Sequence, residues 1–277
     1  MEKDLIYDIG MHNGDDSAYY LSQGFKVIAI DAAPELIKEG QLRFKNDIIE
    51  NRLEILNLGI ALEEGYFDFY LNKLNSVWNS FDKSIGTREG ADYEIIKVKT
   101  KSIDEIVKEK GIPYYMKIDI EGNDILCLTS LQNCVEKPKY ISLEVNSIHL
   151  VFKLAELGYT KFKIIDQQCF LPLEIPTLKE YKIYRWHTEF QQSLNIFIRV
   201  IRKLFGKTIN KLFERNYKHL FTYNHPFGSS GPFGENLPGR WLDFEEALKV
   251  YLHYKAQHEK SKRNSGYNYW IDIHATN

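Results

Sequence analysis

The sequence predicts an α/β protein built around a doubly wound, mostly parallel sheet. Strand-like apolar runs alternate with helical segments as far as residue 166, which is typical of parallel β-α-β units. A glycine-bearing turn follows the first run and an acid ends the second, the arrangement found at the ligand-binding edge of such sheets. Apolar residues make up 44% of the 277 residues, which is enough to bury a sizeable core.

Local patterns predict each element of this first part. Short apolar and β-branched runs predict strands at 5–9, 26–31, 53–58, 114–120, 140–145 and 161–166. Helices are predicted at 17–23, 34–46, 102–110 and 148–157. Pro34 suits the first turn of its helix, and Ser102 and Glu105 have the spacing of a capping box. Gly65 and the alternating residues after it predict a hairpin.

The alternation of strands and helices breaks after Pro172. A basic amphipathic helix is predicted at 194–213, a Gly/Pro-rich loop at 224–241, a helix at 244–258 and a strand at 269–274. We therefore divide the chain into a cofactor-binding α/β core at 1–171, an insertion at 172–268 and a closing strand of the core at 269–277. The Gly/Pro-rich loop is either a lid over the site or an ordinary surface connection.

Charge and composition argue against several classes of protein. The formal net charge of −2 disfavours nucleic-acid binding driven by overall electrostatic attraction. The three cysteines lack the paired spacing of a zinc site, and their odd number does not suggest a disulfide framework. The chain opens without a signal-peptide pattern and has no apolar stretch of about 18–20 residues, so we expect a cytoplasmic protein.

The basic helix raises the question of peripheral membrane contact. Through residues 194–218, arginines and lysines surround an apolar stripe, a pattern seen in helices that lie on membrane surfaces. The alternative is that the helix packs on its own domain and leaves its charges in water.

The strongest motif is the first strand-turn-helix unit, Tyr7-Asp-Ile-Gly-Met-His-Asn-Gly14. Gly10 and Gly14 let the backbone approach a cofactor closely, because neither carries a Cβ. Their G-x-x-x-G spacing differs from the G-x-G-x-x-G of dinucleotide sites, and Asp8 precedes the first glycine. A carboxylate at this place suits an ammonium or sulfonium ligand better than a pyrophosphate.

Acids end two further strands. Asp31 lies about twenty residues beyond the glycines, where an acid commonly receives the ribose hydroxyls of an adenosine-containing cofactor. Asp119 and Glu121 end the strand in Lys117-Ile-Asp-Ile-Glu-Gly122. Carboxylates at the end of an apolar strand are costly to bury unpaired, so the sequence favours a binding or catalytic role for both.

Together, Tyr7–Gly14, Ile30–Pro34 and Lys117–Gly122 resemble the FkbM-type family of class I S-adenosylmethionine-dependent methyltransferases. The resemblance is good over residues 5–166. It implies a Rossmann-like, seven-stranded sheet with an antiparallel last strand. It also implies S-adenosylmethionine as methyl donor and a hydroxyl acceptor on a sugar, glycan or natural product.

The resemblance further implies a role for each site residue. The cofactor would be bound by Asp8, Gly10, Gly14, Asp31, Asn57, Asp119 and Glu121. Within this set, Asp8 and the two glycines would line the methionine end. Asp31 would hold the ribose and Asn57 would contact the adenine. Asp119 and Glu121 would face the methyl-transfer site.

Transfer to a hydroxyl requires a base that removes the proton, or a metal that polarises the oxygen. Asp119 is the first catalytic residue that we predict, followed by Glu144 and His149 at or just beyond the end of the fifth strand. Asp272 and His274 in the closing strand are further options. Oxygen ligands suit magnesium, so Asp119, Glu144 and a histidine could bind a divalent cation, although no dedicated metal spacing is visible.

Two other functions fit the same fold. One is a nicotinamide-dependent oxidoreductase, against which the missing G-x-G-x-x-G weighs. The other is a non-catalytic scaffold with a degenerate cofactor site, against which the intact glycines and acids weigh. Neither the oligomeric state nor the acceptor itself is predicted.

Overall fold

The computed structural model describes residues 1–213, 220–262 and 270–277. Its strands are β1 (Glu2–Ile9), β2 (Lys26–Asp31), β3 (Leu53–Asn57), β4 (Gly59–Ile60), β5 (Gly65–Asn72), β6 (Tyr93–Lys101), β7 (Pro113–Ile118), β8 (Tyr140–Glu144), β9 (Lys161–Asp166), β10 (Leu171–Pro172) and β11 (Ile271–Thr276). Its α-helices are α1 (Asp15–Ser22), α2 (Pro34–Arg43), α3 (Lys45–Ile49), α4 (Lys83–Gly86), α5 (Ile103–Lys110), α6 (Asp124–Leu131), α7 (Ile148–Glu156), α8 (Leu178–Gln192), α9 (Ile196–Phe213) and α10 (Phe244–Lys262).

The main sheet has the strand order β10-β9-β11-β8-β7-β1-β2-β3. Its pairs from β8 through β7, β1 and β2 to β3 are parallel, and β11 runs antiparallel between β8 and β9. The predicted doubly wound, mostly parallel sheet with an antiparallel last strand is therefore confirmed. One detail differs, because the two-residue β10 adds an eighth strand at the edge among the described residues.

A smaller sheet of order β4-β6-β5 stands where the sequence predicted a hairpin. In this sheet β5 pairs antiparallel with β6, which begins twenty-one residues after β5 ends. The hairpin prediction missed β6 because most of its side chains are exposed or half-buried, and Val98 and Thr100 are its buried members. An exposed strand of this kind lacks the apolar run that reveals a buried one.

The helix predictions have mixed outcomes. The capping box is confirmed, since Ser102 and Glu105 make both of its reciprocal hydrogen bonds at the start of α5. The continuous helix predicted at 34–46 is wrong, because α2 ends at Arg43 and α3 begins at Lys45. The chain turns at Phe44, whose buried ring packs where a Cβ on Gly14 would stand.

The Gly/Pro-rich segment 224–241 is packed against the core. The Phe233 ring stacks on that of Tyr115, with centroids 4.0 Å apart. The Ser230 N–H donates to the buried carboxylate of Asp16 at 2.9 Å, and the Lys163 ammonium donates to the carbonyl of Leu237 at 2.8 Å. Opening of this segment as a lid would break these contacts, so a lid function stays a prediction.

The predicted basic helix is present as α9, and α8 precedes it. Residues 214–218 of the predicted membrane-contact segment and Tyr269 of the predicted closing strand lie outside the described residues. Of the helices in the described ranges, none is long and apolar enough to cross a bilayer. The division into core, insertion and closing strand stays a prediction.

Candidate active site

A cavity of about 880 Å³, counting its open mouth, lies at the carboxyl ends of β1, β2 and β7. This edge is where open α/β sheets bind ligands. The turn after β1 contributes Gly10 and His12 to its lining, Asp31 ends β2, and Asp119 and Glu121 follow β7. The main chain thus brings three of the sequence motifs to one cavity.

Gly10 allows the ends of β1 and β7 to approach each other closely. The Asp119 N–H donates to the carbonyl of Ile9 at 2.9 Å. A Cβ on Gly10 would stand 1.7 Å from the carbonyl oxygen of Asp119. The backbone of Gly10 has φ +85°, a region that side chains disfavour. Glycine at this position therefore sets the position of the Asp119 backbone beside the cavity.

We expect Gly10→Ala to destabilise the fold by about 1–3 kcal/mol more than Gly24→Ala, as measured by urea unfolding. Gly24 is the matched control, because its φ is +86° and nothing lies within 4 Å of its added Cβ. Both changes carry the cost of a left-handed backbone, about 1–2 kcal/mol. Equal losses would show that the close approach to Asp119 costs nothing.

Asp31 has a carboxylate that is fixed by the backbone. Its Oδ2 accepts the N–H of His12 at 2.8 Å, and its Oδ1 accepts the N–H of Ala33 at 2.8 Å. Burial raises the pKa of Asp31, and these hydrogen bonds oppose that rise. A carboxylate offers about four acceptor sites, so each oxygen keeps room for a hydroxyl from the cavity.

The cavity wall next to Asp31 is apolar. Ala32 and Leu36 follow β2, and they pack with Phe69 and Phe81 of the smaller sheet and its connection. These four side chains line the cavity on the side of β2 and β3. A flat, weakly polar ring such as a purine suits such a wall.

Lys117 is a buried cation at the base of the cavity. Its ammonium lies 3.2 Å from Asp8, 3.7 Å from Asp16 and 3.8 Å from Asp119, and it donates to the carbonyl of Gly10 at 2.9 Å. Burial alone would lower the pKa of Lys117, but attraction to the three carboxylates raises it above its ordinary value. Burial is also the main cause that raises the pKa of Asp16 to about 6.

Three carboxyl groups meet beyond Lys117, from Asp119, Glu121 and Glu144, and their nearest oxygens lie within 4.8 Å of one another. Burial, followed by repulsion from Asp119, raises the pKa of Glu121 to about 7 and that of Glu144 to about 8. Asp272 lies opposite Glu144 in the register of β11 and β8, and burial raises its pKa well above the ordinary value. We call Asp119, Glu121 and Glu144 the acid group. With the pKa values of Glu121 and Glu144 raised in this way, the acid group can hold protons near neutral pH.

Glu121 has an unusual backbone conformation at the acid group. Its φ is +45°, in the left-handed region that non-glycine residues seldom adopt. The Ser80 hydroxyl donates to the carbonyl of Glu121 at 2.9 Å, and the Arg88 guanidinium lies 3.6 Å from its carboxylate. These contacts with residues near the smaller sheet hold the carboxylate of Glu121 at the cavity wall.

Residues 8–218 match the family model described as the methyltransferase FkbM domain. The chain belongs to this family. A comparison with curated protein sequences finds no match. The fold and the geometry of the cavity therefore belong to a methyltransferase-family domain.

Several solved structures resemble this FkbM domain at low sequence identity. The methyltransferase FkbM from Methylobacillus flagellatus KT is 14% identical, with a TM-score of 0.42, and the alignment covers 58% of this chain and 40% of that chain. The C-terminal domain of precorrin-6Y C5,15-methyltransferase from Rhodobacter capsulatus is 13% identical, with a TM-score of 0.36 and coverage of 65% and 73%. An O-methyltransferase from a trans-AT PKS multienzyme of Brevibacillus brevis, in complex with S-adenosyl-L-homocysteine, is 11% identical, with a TM-score of 0.33 and coverage of 76% and 61%.

In this FkbM domain, the cavity brings together Gly10, Asp31, Asp119 and Glu121 of the predicted site residues. Glu144 joins them through the acid group.

Four other predicted residues lie elsewhere. Asp8 is fully buried against Lys117 and accepts the hydroxyl of Ser17. Gly14 packs against Phe44. Asn57 is exposed, and its amide donates to the carbonyls of Asp31 and Ala32. His149 is exposed in the first turn of α7. Their predicted roles stay predictions, and the described cavity lining includes none of the four.

Some residues of the site were missed by the sequence reasoning. Lys117 had a visible signal, because it is a cation inside an otherwise apolar strand and must be paired when buried. Asp16 became recognisable only through its contacts with Lys117 and Ser230. The imidazole of His12 lies 2.9 Å from the Ser76 hydroxyl. This contact was not predictable, because Ser76 lies in the connection between β5 and the unpredicted β6.

Proposed function

We propose that this chain transfers the methyl group of S-adenosylmethionine to a hydroxyl oxygen of a sugar, glycan or natural product. The observation that carries the proposal is one cavity with two chemically different ends. A backbone-fixed carboxylate and an apolar wall lie towards β2 and β3, and Asp119 and Glu121 line the end towards β7. Glu144 lies next to these two acids at the end of β8, outside the lining. Membership of the methyltransferase family supports the reaction class.

The residues of the cavity fit the proposed cofactor. The free lone pairs of Asp31 suit the two ribose hydroxyls, and the apolar wall of Ala32, Leu36, Phe69 and Phe81 suits the adenine. The carboxylates beside Gly10 suit the positive charges of the methionine end. When bound, S-adenosylmethionine supplies a methyl carbon that its sulfonium has already activated.

The strand order supports separate places for cofactor and acceptor. Asp31 ends β2 and Glu144 ends β8, with β1 and β7 between them. Adjacent strands lie about 4.8 Å apart, so the two residues are separated by roughly 14 Å across the sheet. The cofactor therefore binds between β2 and β7, and the acceptor reaches the acid group from the side of β8.

Glu144 is the base that we propose for the acceptor hydroxyl. A carboxyl group whose pKa lies near 8 is a stronger base than an ordinary glutamate and suits proton removal near neutral pH. Asp119 lies between Lys117 and Glu144, where it orients the acceptor. The catalytic role predicted for His149 has no contact with this group to support it.

The acid group also bears on the predicted divalent cation. Asp119, Glu121 and Glu144 supply the oxygen chemistry that magnesium prefers, but Glu121 takes the place of the histidine expected in the set. A requirement for a cation stays a prediction, which loss of activity in EDTA and its return with added magnesium would support.

The first test of the proposal is calorimetric titration with S-adenosylhomocysteine. We expect saturable binding that Asp31→Ala weakens by at least about 10–100-fold, because the loss of even one hydrogen bond to a charged group costs about 1.5–3 kcal/mol. Asp68→Ala is the control, since this substitution removes the same charge at an exposed position on β5. Tighter binding of reduced nicotinamide cofactor than of S-adenosylhomocysteine would favour an oxidoreductase. Binding of neither by the folded protein would favour a scaffold.

A further inference from the structure

The outer surface of α9 carries three parallel rows of side chains. Residues four apart in a helix follow one another along the same face. Arg199, Lys203, Lys207 and Lys211 form a cationic row. Two apolar rows lie beside it, formed by Ile196, Val200 and Leu204 and by Phe197, Ile201 and Phe205. The six apolar side chains are 45–77% exposed, which is unusual for a continuous apolar stripe.

The inner surface of α9 is attached to α8. The Arg202 guanidinium donates to the carbonyls of Phe190, Gln191 and Ser193 at the carboxyl end of α8. Gly206 is buried on the same side of α9. Cations stabilise the carboxyl ends of helices, so Arg202 has a structural role. The inner surface of α9 thus contacts α8, and its apolar and cationic rows face outwards.

The charge of α9 is one-sided. Residues 196–213 contain five basic residues and no acidic residue, although the whole chain has a formal net charge of −2. Within the described residues, the four lysines and arginines of the cationic row are exposed. A surface that complements α9 must therefore be anionic and must accept a stripe of leucine, isoleucine, valine and phenylalanine.

We propose that α9 docks the protein on an anionic bilayer surface. In such docking the apolar rows enter the boundary between headgroups and acyl chains, and the neighbouring cations contact lipid phosphates. An acidic protein fits less well, because the apolar rows offer no polar side chain that would fix a specific partner. This inference goes beyond the proposed function and does not depend on it.

The test is co-sedimentation of the full chain with vesicles of phosphatidylcholine alone or with about one third phosphatidylglycerol. We expect binding to the anionic vesicles that weakens with salt. Arg199→Glu/Lys203→Glu should reduce the partition coefficient about tenfold or more. Lys38→Glu/Lys108→Glu, which makes the same charge change on exposed lysines of α2 and α5, should leave it within about twofold.

The apolar rows are tested separately. Phe197→Ser/Ile201→Ser/Leu204→Ser should reduce binding about tenfold or more at constant charge. Circular dichroism checks that the variant keeps its fold, and the exposed sites make this outcome expected. Absence of vesicle binding by the intact chain at low salt overturns the proposal. Self-association that the serine variant abolishes, without vesicle binding, overturns it in favour of a second copy of the chain. The proposal is also overturned if the glutamate variant and the serine variant of α9 both bind the anionic vesicles as well as the intact chain does.

Discussion

Glu144→Gln is expected to lower kcat about 100–10,000-fold, the usual contribution of a general base. The affinity for S-adenosylhomocysteine should change by less than about threefold, because Glu144 lies at the end of β8, outside the cavity lining. Glutamine keeps the size of the side chain but cannot accept the acceptor's proton. Steady-state kinetics with a hydroxyl acceptor that the unaltered chain methylates measures kcat, and calorimetry measures the affinity.

The pH profile gives this prediction a second readout. Only the ionised carboxylate is a base, so a pKa of Glu144 raised to about 8 means that kcat/KM rises with pH and levels off above about 8. The profile of kcat should inflect at lower pH, because a sulfonium nearby favours the ionised carboxylate. Glu144→Gln should remove the inflection assigned to Glu144.

Glu156→Gln is the matched control for Glu144. Glu156 is exposed in the last turn of α7 and pairs with Lys153, so we expect its kinetics to equal those of the unaltered chain. A Glu144→Gln enzyme with undiminished kcat would exclude Glu144 as the base. If Asp119→Asn then lost activity, the base would be Asp119, as the sequence alone had placed first.

The strands of the main sheet were largely predictable because the central ones are buried on both faces. Such strands read as continuous apolar runs, as in 26–31 and 140–145. In the smaller sheet, β6 and its pairing with β5 were not predictable, since β6 has mostly exposed residues and few buried ones. The break in the helix after Arg43 also has no local signal, because it depends on the core position of Phe44, which packs against Gly14.

The candidate site was predictable where the chain itself places residues at strand ends. Gly10, Asp31 and Asp119 follow three parallel strands, so their meeting at one edge follows from the topology. The neighbours of these residues were not predictable in the same way. Glu144 and Asp272 meet only because the chain returns at its end to insert β11 between β8 and β9.

Lys117→Met is expected to destabilise the fold by about 3–5 kcal/mol, the usual cost of removing one partner from a buried charge group. Methionine fills a similar volume but leaves the carboxylates of Asp8 and Asp16 without their cation. Lys97→Met is the control, because its pair with Asp68 is exposed and should cost less than about 1 kcal/mol. Urea unfolding, followed by circular dichroism, measures both.

Asp8→Asn in the Lys117→Met background tests the cause of that loss. Asp8 and Lys117 are register partners on β1 and β7, so removal of both charges leaves Asp16 as the one of these two buried carboxylates without its cation. We expect the double variant to recover about 0.5–3 kcal/mol, the range of coupling between contacting residues. Recovery would mean that Asp8 stabilises the contact of β1 with β7 through its pairing with Lys117. If the double variant is less stable than Lys117→Met, the loss comes from the packing of the lysine, and Asp8 remains available for the cofactor role that the sequence predicts.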